Sequence, residues 1–231
     1  MSGQQRQKRQ ASETFRLGGL LAVIGGFLDA YTFLGRGGVF ANAQTGNIVL
    51  LGISAAKGQW TAALLFLIPI SAFIAGVLLA ERIKLRYQRR ENLPFHWRQI
   101  IVVFEAAVLT AVVFVPQGQW DVAVTIAVSF VCALQVETFR KIHGDTFVTT
   151  MCTGNLRSAT ELFYRSRLMH DGYLGRRSLR YYGIILFFIL GAAIGTALTE
   201  IWPERSVLFC LFPFGAAYLL MRRGDSIPST E

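Results

Sequence analysis

Charge is scarce in this sequence. Asp, Glu, Lys and Arg make up 16% of its 231 residues, too few to coat a water-facing globule. Cysteine and histidine are scarcer still. Cys132, Cys152 and Cys210 lie far apart with no Cys-x-x-Cys pair, which argues against a disulfide framework or a cysteine-rich metal centre and leaves them as small apolar residues. His96, His143 and His170 fall outside the apolar runs and lack metal-ligand spacing, His143 near Asp145 being a weak pair. No Gly-x-Ser-x-Gly, phosphate loop or His-Glu-x-x-His occurs, so neither an enzyme nor a cofactor is expected.

What remains is apolar: 53% of the residues are hydrophobic and mean hydropathy is +0.43, which points to lipid as the solvent. Six runs approach the length needed to cross a hydrocarbon core about 30 Å thick. They cover 17–34, 61–80, 100–115, 122–139, 181–198 and 206–221. None alternates with period two, so helices are expected rather than a barrel. The basic stretch before the first run resembles a secretory leader, but the run is too long and lacks a small-x-small cleavage site, which favours a retained anchor.

The net charge of +9 is explained by where the cations stand. All but three of the 23 Lys and Arg fall in the N-terminal tail, after the second run, between Arg140 and Arg180, or at Arg222 and Arg223. Arg36, Lys57 and Arg205 are left for the other side. Such a bias puts the rich segments, and hence both termini, in the cytoplasm beside anionic lipid; it does not call for nucleic acid. Trp60, Trp97, Trp120, Trp202, Tyr181 and Tyr182 sit at run ends, as an interfacial belt requires.

The chain also repeats itself. Asp29-Ala-Tyr31 precedes Gln44-Thr45-Gly46-Asn47, and Glu137-Thr-Phe139 precedes Cys152-Thr153-Gly154-Asn155, at a common offset of 108. Gly76-Val-Leu-Leu-Ala-Glu81 matches Gly195-Thr-Ala-Leu-Thr-Glu200 at an offset of 119, which places an eleven-residue insertion in the basic segment between. Each copy holds three runs, an odd number, so the second enters the membrane from the opposite side. Inverted repeats of this kind build many secondary transporters, with sites near the midplane.

A carboxylate within a span is costly unless partnered. Asp29, deep in the first run, reads either as an ion, proton or counter-charge site or as a buried carboxyl satisfied by neighbouring helices. Glu105, about one turn into the third run, and Glu137, near the end of the fourth, stand close enough to the interface to reach water. Asn is a strong N-cap and Gly a permissive backbone, so each Thr-Gly-Asn reads as a helix start. The segment 48–56 is apolar but too short to span, as a re-entrant half-helix is; 156–164 is amphipathic, with Arg157 and Glu161 on one face. The positive end of a half-helix attracts a carboxylate. Asp29 is therefore expected to face the start at Asn47, and Glu137 the one at Asn155, as a gate or as a structural lock. Gly191-Ala-Ala-Ile-Gly195 suggests close helix packing, and Pro69 a kink.

The blocks Gly25-Gly-Phe-Leu-Asp29-Ala-Tyr31 and Val39-Phe-Ala-Asn42-Ala-Gln44-Thr45-Gly46-Asn47-Ile-Val-Leu-Leu-Gly52, with the second Thr-Gly-Asn, resemble the bacterial YoaK-like family of small multi-pass membrane proteins, a domain of unknown function. That resemblance covers nearly the whole chain and implies a bacterial inner membrane. The family usually has Met before the first Thr-Gly-Asn, where this chain has Gln44. It implies no substrate or catalytic residue.

The expectation is an all-α polytopic membrane bundle of about six spans, built as two inverted three-span repeats, 17–116 and 117–222, each with a short half-helix after Thr-Gly-Asn. Tails of 1–16 and 223–231 flank them in the cytoplasm. Movement of a small solute or ion is the expected function, with Asp29, Glu137, Glu105, Gln44, Thr45, Gly46, Asn47, Thr153, Gly154 and Asn155 along its pathway. The lipid bilayer is the expected partner, and a homo-oligomer stays open. A non-transporting protein that assembles with a partner through 165–180 is the alternative. A membrane-embedded enzyme using His143, Asp145 and Thr149 is the third.

Overall fold

A computed structural model describes residues 15–87, 97–139, 141–142, 145–146 and 151–225. The first apolar run forms α1 (Phe15–Gly35), followed by a short helix α2 (Gln44–Ala56) and the long α3 (Trp60–Tyr87). Helix α4 (Trp97–Val112) closes the first half. The second half repeats that order with α5 (Asp121–Thr138), α6 (Cys152–Met169) and α7 (Gly172–Ile201). Its last run divides into a 3-10 turn (Ser206–Cys210) and α8 (Leu211–Asp225). A two-residue antiparallel pair, Lys141–Ile142 with Asp145–Thr146, lies between α5 and α6.

Four of these helices, α1, α3, α5 and α7, are long and apolar enough to cross a membrane; α4 and the segment Ser206–Arg222 are shorter. Sixteen residues of α4 rise about 24 Å, less than a full hydrocarbon core. Helices α3 and α7 are the most outward-facing of the long four. They present Leu64, Leu67, Ile74, Leu78, Leu186, Ile189 and Leu190 outward, a surface suited to lipid rather than water. The all-helical polytopic bundle expected from composition is thus what forms. Its element ends differ from expectation: α7 begins nine residues before the apolar run, taking in Arg176, Arg177 and Arg180, and α6 is twice the expected length at 18 residues. Polarity misplaced these ends, because a helix continues beyond the hydrocarbon wherever propensity and capping allow it. At the α6–α7 corner His170 takes a left-handed φ of 51° and Asp171 accepts a hydrogen bond from the Tyr173 N–H.

The packing is reciprocal between the halves. Helix α1 makes its largest contact with α7, and α3 with α5; α2 lies on α3, and α6 on α7; α4 packs on α5, and α8 on α1. Small residues set the closest approaches. A Cβ added to Gly191 would overlap the Val23 carbonyl, one on Gly26 the Phe188 carbonyl, and one on Gly195 would lie 2.8 Å from the Phe27 oxygen. Backbone-to-backbone contact of this kind admits no larger side chain. Gly76 plays the same part between α3 and α5, where an added Cβ would lie 2.5 Å from the Phe130 oxygen. The central apolar cluster, with Phe27, Leu28, Tyr31, Leu109, Val128, Cys132, Cys210 and Phe214, joins α1, α4, α5, the 3-10 turn and α8.

Gly191→Ala should therefore cost about 1–3 kcal/mol of overpacking and lower the thermal midpoint in detergent by several degrees. Gly52→Ala, where an added methyl meets nothing within 4 Å, should leave it unchanged or raise it. Equal shifts in the two variants would show that the α1–α7 contact does not set stability.

Candidate functional site

Helix α1 ends at Gly35, and the chain reverses through Gly37 and Gly38, whose φ values of 90° and 73° suit glycine alone. It then runs back alongside α1 to the level of Asp29. There the Asn42 N–H donates to Asp29 Oδ1 at 2.7 Å, the Ala43 N–H reaches the same oxygen at 3.3 Å, and Asn42 Nδ2 donates to the Gly25 carbonyl at 3.2 Å. Helix α2 starts one residue later. Asp29 thus meets the start of the short helix, but through Asn42 and Ala43 rather than at Asn47.

The cap assignment needs a further correction. Helices α2 and α6 begin at Gln44 and Cys152, after Ala43 and Met151, and neither start has a side-chain cap. Asn47 lies inside the first turn, fully buried, and grips the returning loop: its Oδ1 accepts from the Phe40 N–H at 2.9 Å while Nδ2 donates to the Phe40 carbonyl at 2.7 Å and Gln44 Oε1 at 2.9 Å. Gln44 Nε2 in turn donates to the Ala41 carbonyl at 2.9 Å. Gly46 is required because an added Cβ would lie 2.7 Å from the Phe40 ring, itself stacked on Phe33. Thr45 and Thr153 are exposed. In the second copy Asn155 is buried and an added Cβ on Gly154 meets no described atom within 4 Å; residues 147–150, Thr149 among them, and His143 lie outside the described residues.

The three intramembrane carboxyls separate. Glu137, expected against the start of α6, is half-buried at the end of α5 and ion-paired with Lys84 Nζ at 3.5 Å, which also holds Glu81 at 2.8 Å. Glu105, expected within reach of water, is 1% exposed, and neither of its oxygens has a hydrogen-bond partner among the described residues. The reason is that α4 starts at Trp97, so Glu105 lies two turns inside it. Asp29 Oδ2 and Asn42 Oδ1 have no hydrogen-bond partner among the described residues. The buried Cys132 thiol feels the Asn42 side chain and the charges of both Asp29 and Glu105, and Cys152, at the start of α6, feels that of Asp29.

Sequence reasoning left Arg36 as a stray cation, yet it ties one end of the bundle together. Fully buried, it donates from Nε to Tyr31 Oη at 2.9 Å, from Nη1 to the Pro116 carbonyl and to Asp121 Oδ1, both at 3.1 Å, and from Nη2 to the Val115 carbonyl at 2.8 Å. Thr125 Oγ1 donates to the Arg36 carbonyl at 3.2 Å, and Gln117 Nε2 to that of Gly35 at 2.9 Å. A cleft of about 190 Å³ opens beside it between Val39, Leu65, Ile68, Val122 and Thr125. The available signal was a single Arg between glycines on the charge-poor side.

This geometry defines a polytopic helical membrane protein whose spans alternate with short helices that start inside the bundle. A family described as protein of unknown function (DUF1275) matches residues 17–220, and the chain belongs to it. It is similar to the UPF0700 transmembrane protein YoaK of Bacillus subtilis (strain 168), with 29% identity over 192 residues, 78% of this chain and 81% of the relative. No solved structure matches it.

Two variants test the local account. Asp29→Asn keeps an acceptor for both N–H groups and should change stability by less than about 1 kcal/mol, whereas Asp29→Leu orphans them and should cost about 2–4 kcal/mol in thermal unfolding. Arg36→Met should cost about 3–5 kcal/mol, and Arg36→Lys should not restore it, because one ammonium cannot span four acceptors.

Proposed function

We propose that this protein moves a small solute or ion across the membrane, and that its two halves are inverted three-span repeats. The observation that carries the reading is the interrupted path from α1 to α2, in which a short helix starts inside the bundle and the N–H groups of the two residues just before it, Asn42 and Ala43, bond Asp29. A helix break at that depth is tolerated where it is buried in protein or lines a polar path. The reciprocal packing of α1 on α7 and α3 on α5 supports it. In this reading the free Asp29 Oδ2, Asn42 Oδ1 and the positive ends of α2 and α6 bind the passing group, and the two halves rock about them. Lys84 occupies Glu137, which serves as a tie at the membrane surface rather than part of the path. No covalent chemistry is involved. The basic ends of α3, α6 and α7 face the cytoplasm of a bacterial cell, with both termini.

The test uses single cysteines at two exposed positions, Lys57→Cys and Arg167→Cys, in a version without Cys132, Cys152 and Cys210. Six crossings put the two on opposite sides of the membrane, so an impermeant thiol reagent should reach each from one side only. Were α4 and α8 not to cross, both would label from the same side and the inverted halves would be lost. Proteoliposomes swelling in isosmotic polyols and ammonium salts then provide the activity, which Asp29→Asn should lower at least tenfold. Unchanged flux in that variant would remove Asp29 from the path.

A further inference from the structure

The path just described leaves one buried group unused. Glu105 stands two turns into α4, and no hydrogen-bonding or charged side chain of the described residues is directed to either of its oxygens. The elements packed against α4 are α5, the 3-10 turn and α8. Facing it from α5 is the Cys132 thiol, which feels the charges of both Glu105 and Asp29 of α1; the 3-10 turn brings Cys210; α8 brings Tyr218, packed on the same apolar cluster, and Arg222 at its end. Cys132 and Cys210 are weak partners, and Glu105 enters a hydrogen bond with none of these groups.

An ionised carboxylate without a cation or donor is too costly to hold in such surroundings, whereas a neutral carboxylic acid leaves only one donor and weak acceptors unmet. The seam around it is suited to opening. Over 100–112, α4 meets its neighbours through apolar side chains, and Thr110 turns back to its own Ala106 carbonyl at 2.7 Å. Parting α4 from α5 and the 3-10 turn breaks no described hydrogen bond from this stretch, and it admits water to a group that then ionises.

We propose that Glu105 is a proton-binding site of the transport cycle, loaded in the closed bundle and released when α4 separates from α5 and the 3-10 turn. This rests on the transport reading and names the proton as its coupling ion. The site binds one proton on the carboxylate and returns it to water, with no other bond made or broken.

Infrared spectroscopy of the full-length protein in lipid bilayers, with its glutamates labelled with carbon-13 at the side-chain carboxyl, tests this directly. A protonated-acid C=O band that shifts with the label should be present in the native protein and absent in Glu105→Gln. Glu105→Asp keeps a carboxyl should the amide impair folding, and it should remove the label-sensitive component alone. On transfer to D2O the native band should move within minutes to hours as the bundle opens and the proton is replaced. Absence of any label-sensitive acid band would mean an ionised Glu105, and a band that never moves would mean a static buried acid; either result overturns the proposal. The two readings fail separately: band exchange without solute flux retires transport and keeps the proton site, and flux with a static band does the reverse.

Discussion

Backbone N–H and C=O groups that leave a helix inside lipid must find partners in the protein, and the whole first half is arranged around that demand. The chain abandons helical bonding at Gly35 and resumes it at Gln44. The exposed groups between are met by two side chains from opposite directions: Asp29 takes the N–H groups of Asn42 and Ala43, and Asn47 takes both polar groups of Phe40. Remove either and a buried strand of backbone is left without partners. The position of α2, and through it of α3, follows from these few bonds.

A second constraint is charge at the Arg36 end. A buried guanidinium is tolerated only when its donors are filled, and here they join the ends of α1 and α4 to the start of α5. The opposite end is tied differently, by Lys84 between Glu81 and Glu137 and by Ser178 Oγ on the Ala159 carbonyl at 2.7 Å. One end is a buried network and the other a partly solvated one. The ties at the basic end are therefore the weaker ones, since partly solvated ion pairs exchange with water at small cost.

The fold class and the short α2 were legible because they rest on length and hydropathy, whereas α6 runs to twice the length that polarity suggested. The pairing of Asp29 with the start of α2 was legible from helix electrostatics, but its register was not. Asn47 reads as a cap from propensity alone, and only the returning loop shows that its amide is used to clamp Phe40. Glu105 was misplaced because apolar runs mark hydrocarbon, not helix ends: α4 begins with Trp97, Arg98 and Gln99, which no hydropathy count includes. Arg36 was missed because its partners are scattered over α1, the turn after α4 and the start of α5 and form no sequence pattern.

The two short helices show how one backbone plan answers to two solvents. Helix α2 exposes Ile48, Val49 and Ile53 and carries no charge along its thirteen residues, so its outer face suits hydrocarbon. Helix α6 exposes Leu156, Phe163, Tyr164 and Leu168 but interleaves them with Arg157, Glu161, Arg165 and Arg167, and Arg165 pairs with Glu161 at 2.9 Å. Such a face is satisfied only where lipid and water meet, with long cationic side chains reaching the headgroups. The longer, charged helix sits at the end of the bundle where the arginines of α7 begin, and the apolar one at the end where Arg36 is internally consumed. The two Thr-Gly-Asn helices thus differ in the solvent that their outer faces suit, hydrocarbon for α2 and the boundary of lipid and water for α6.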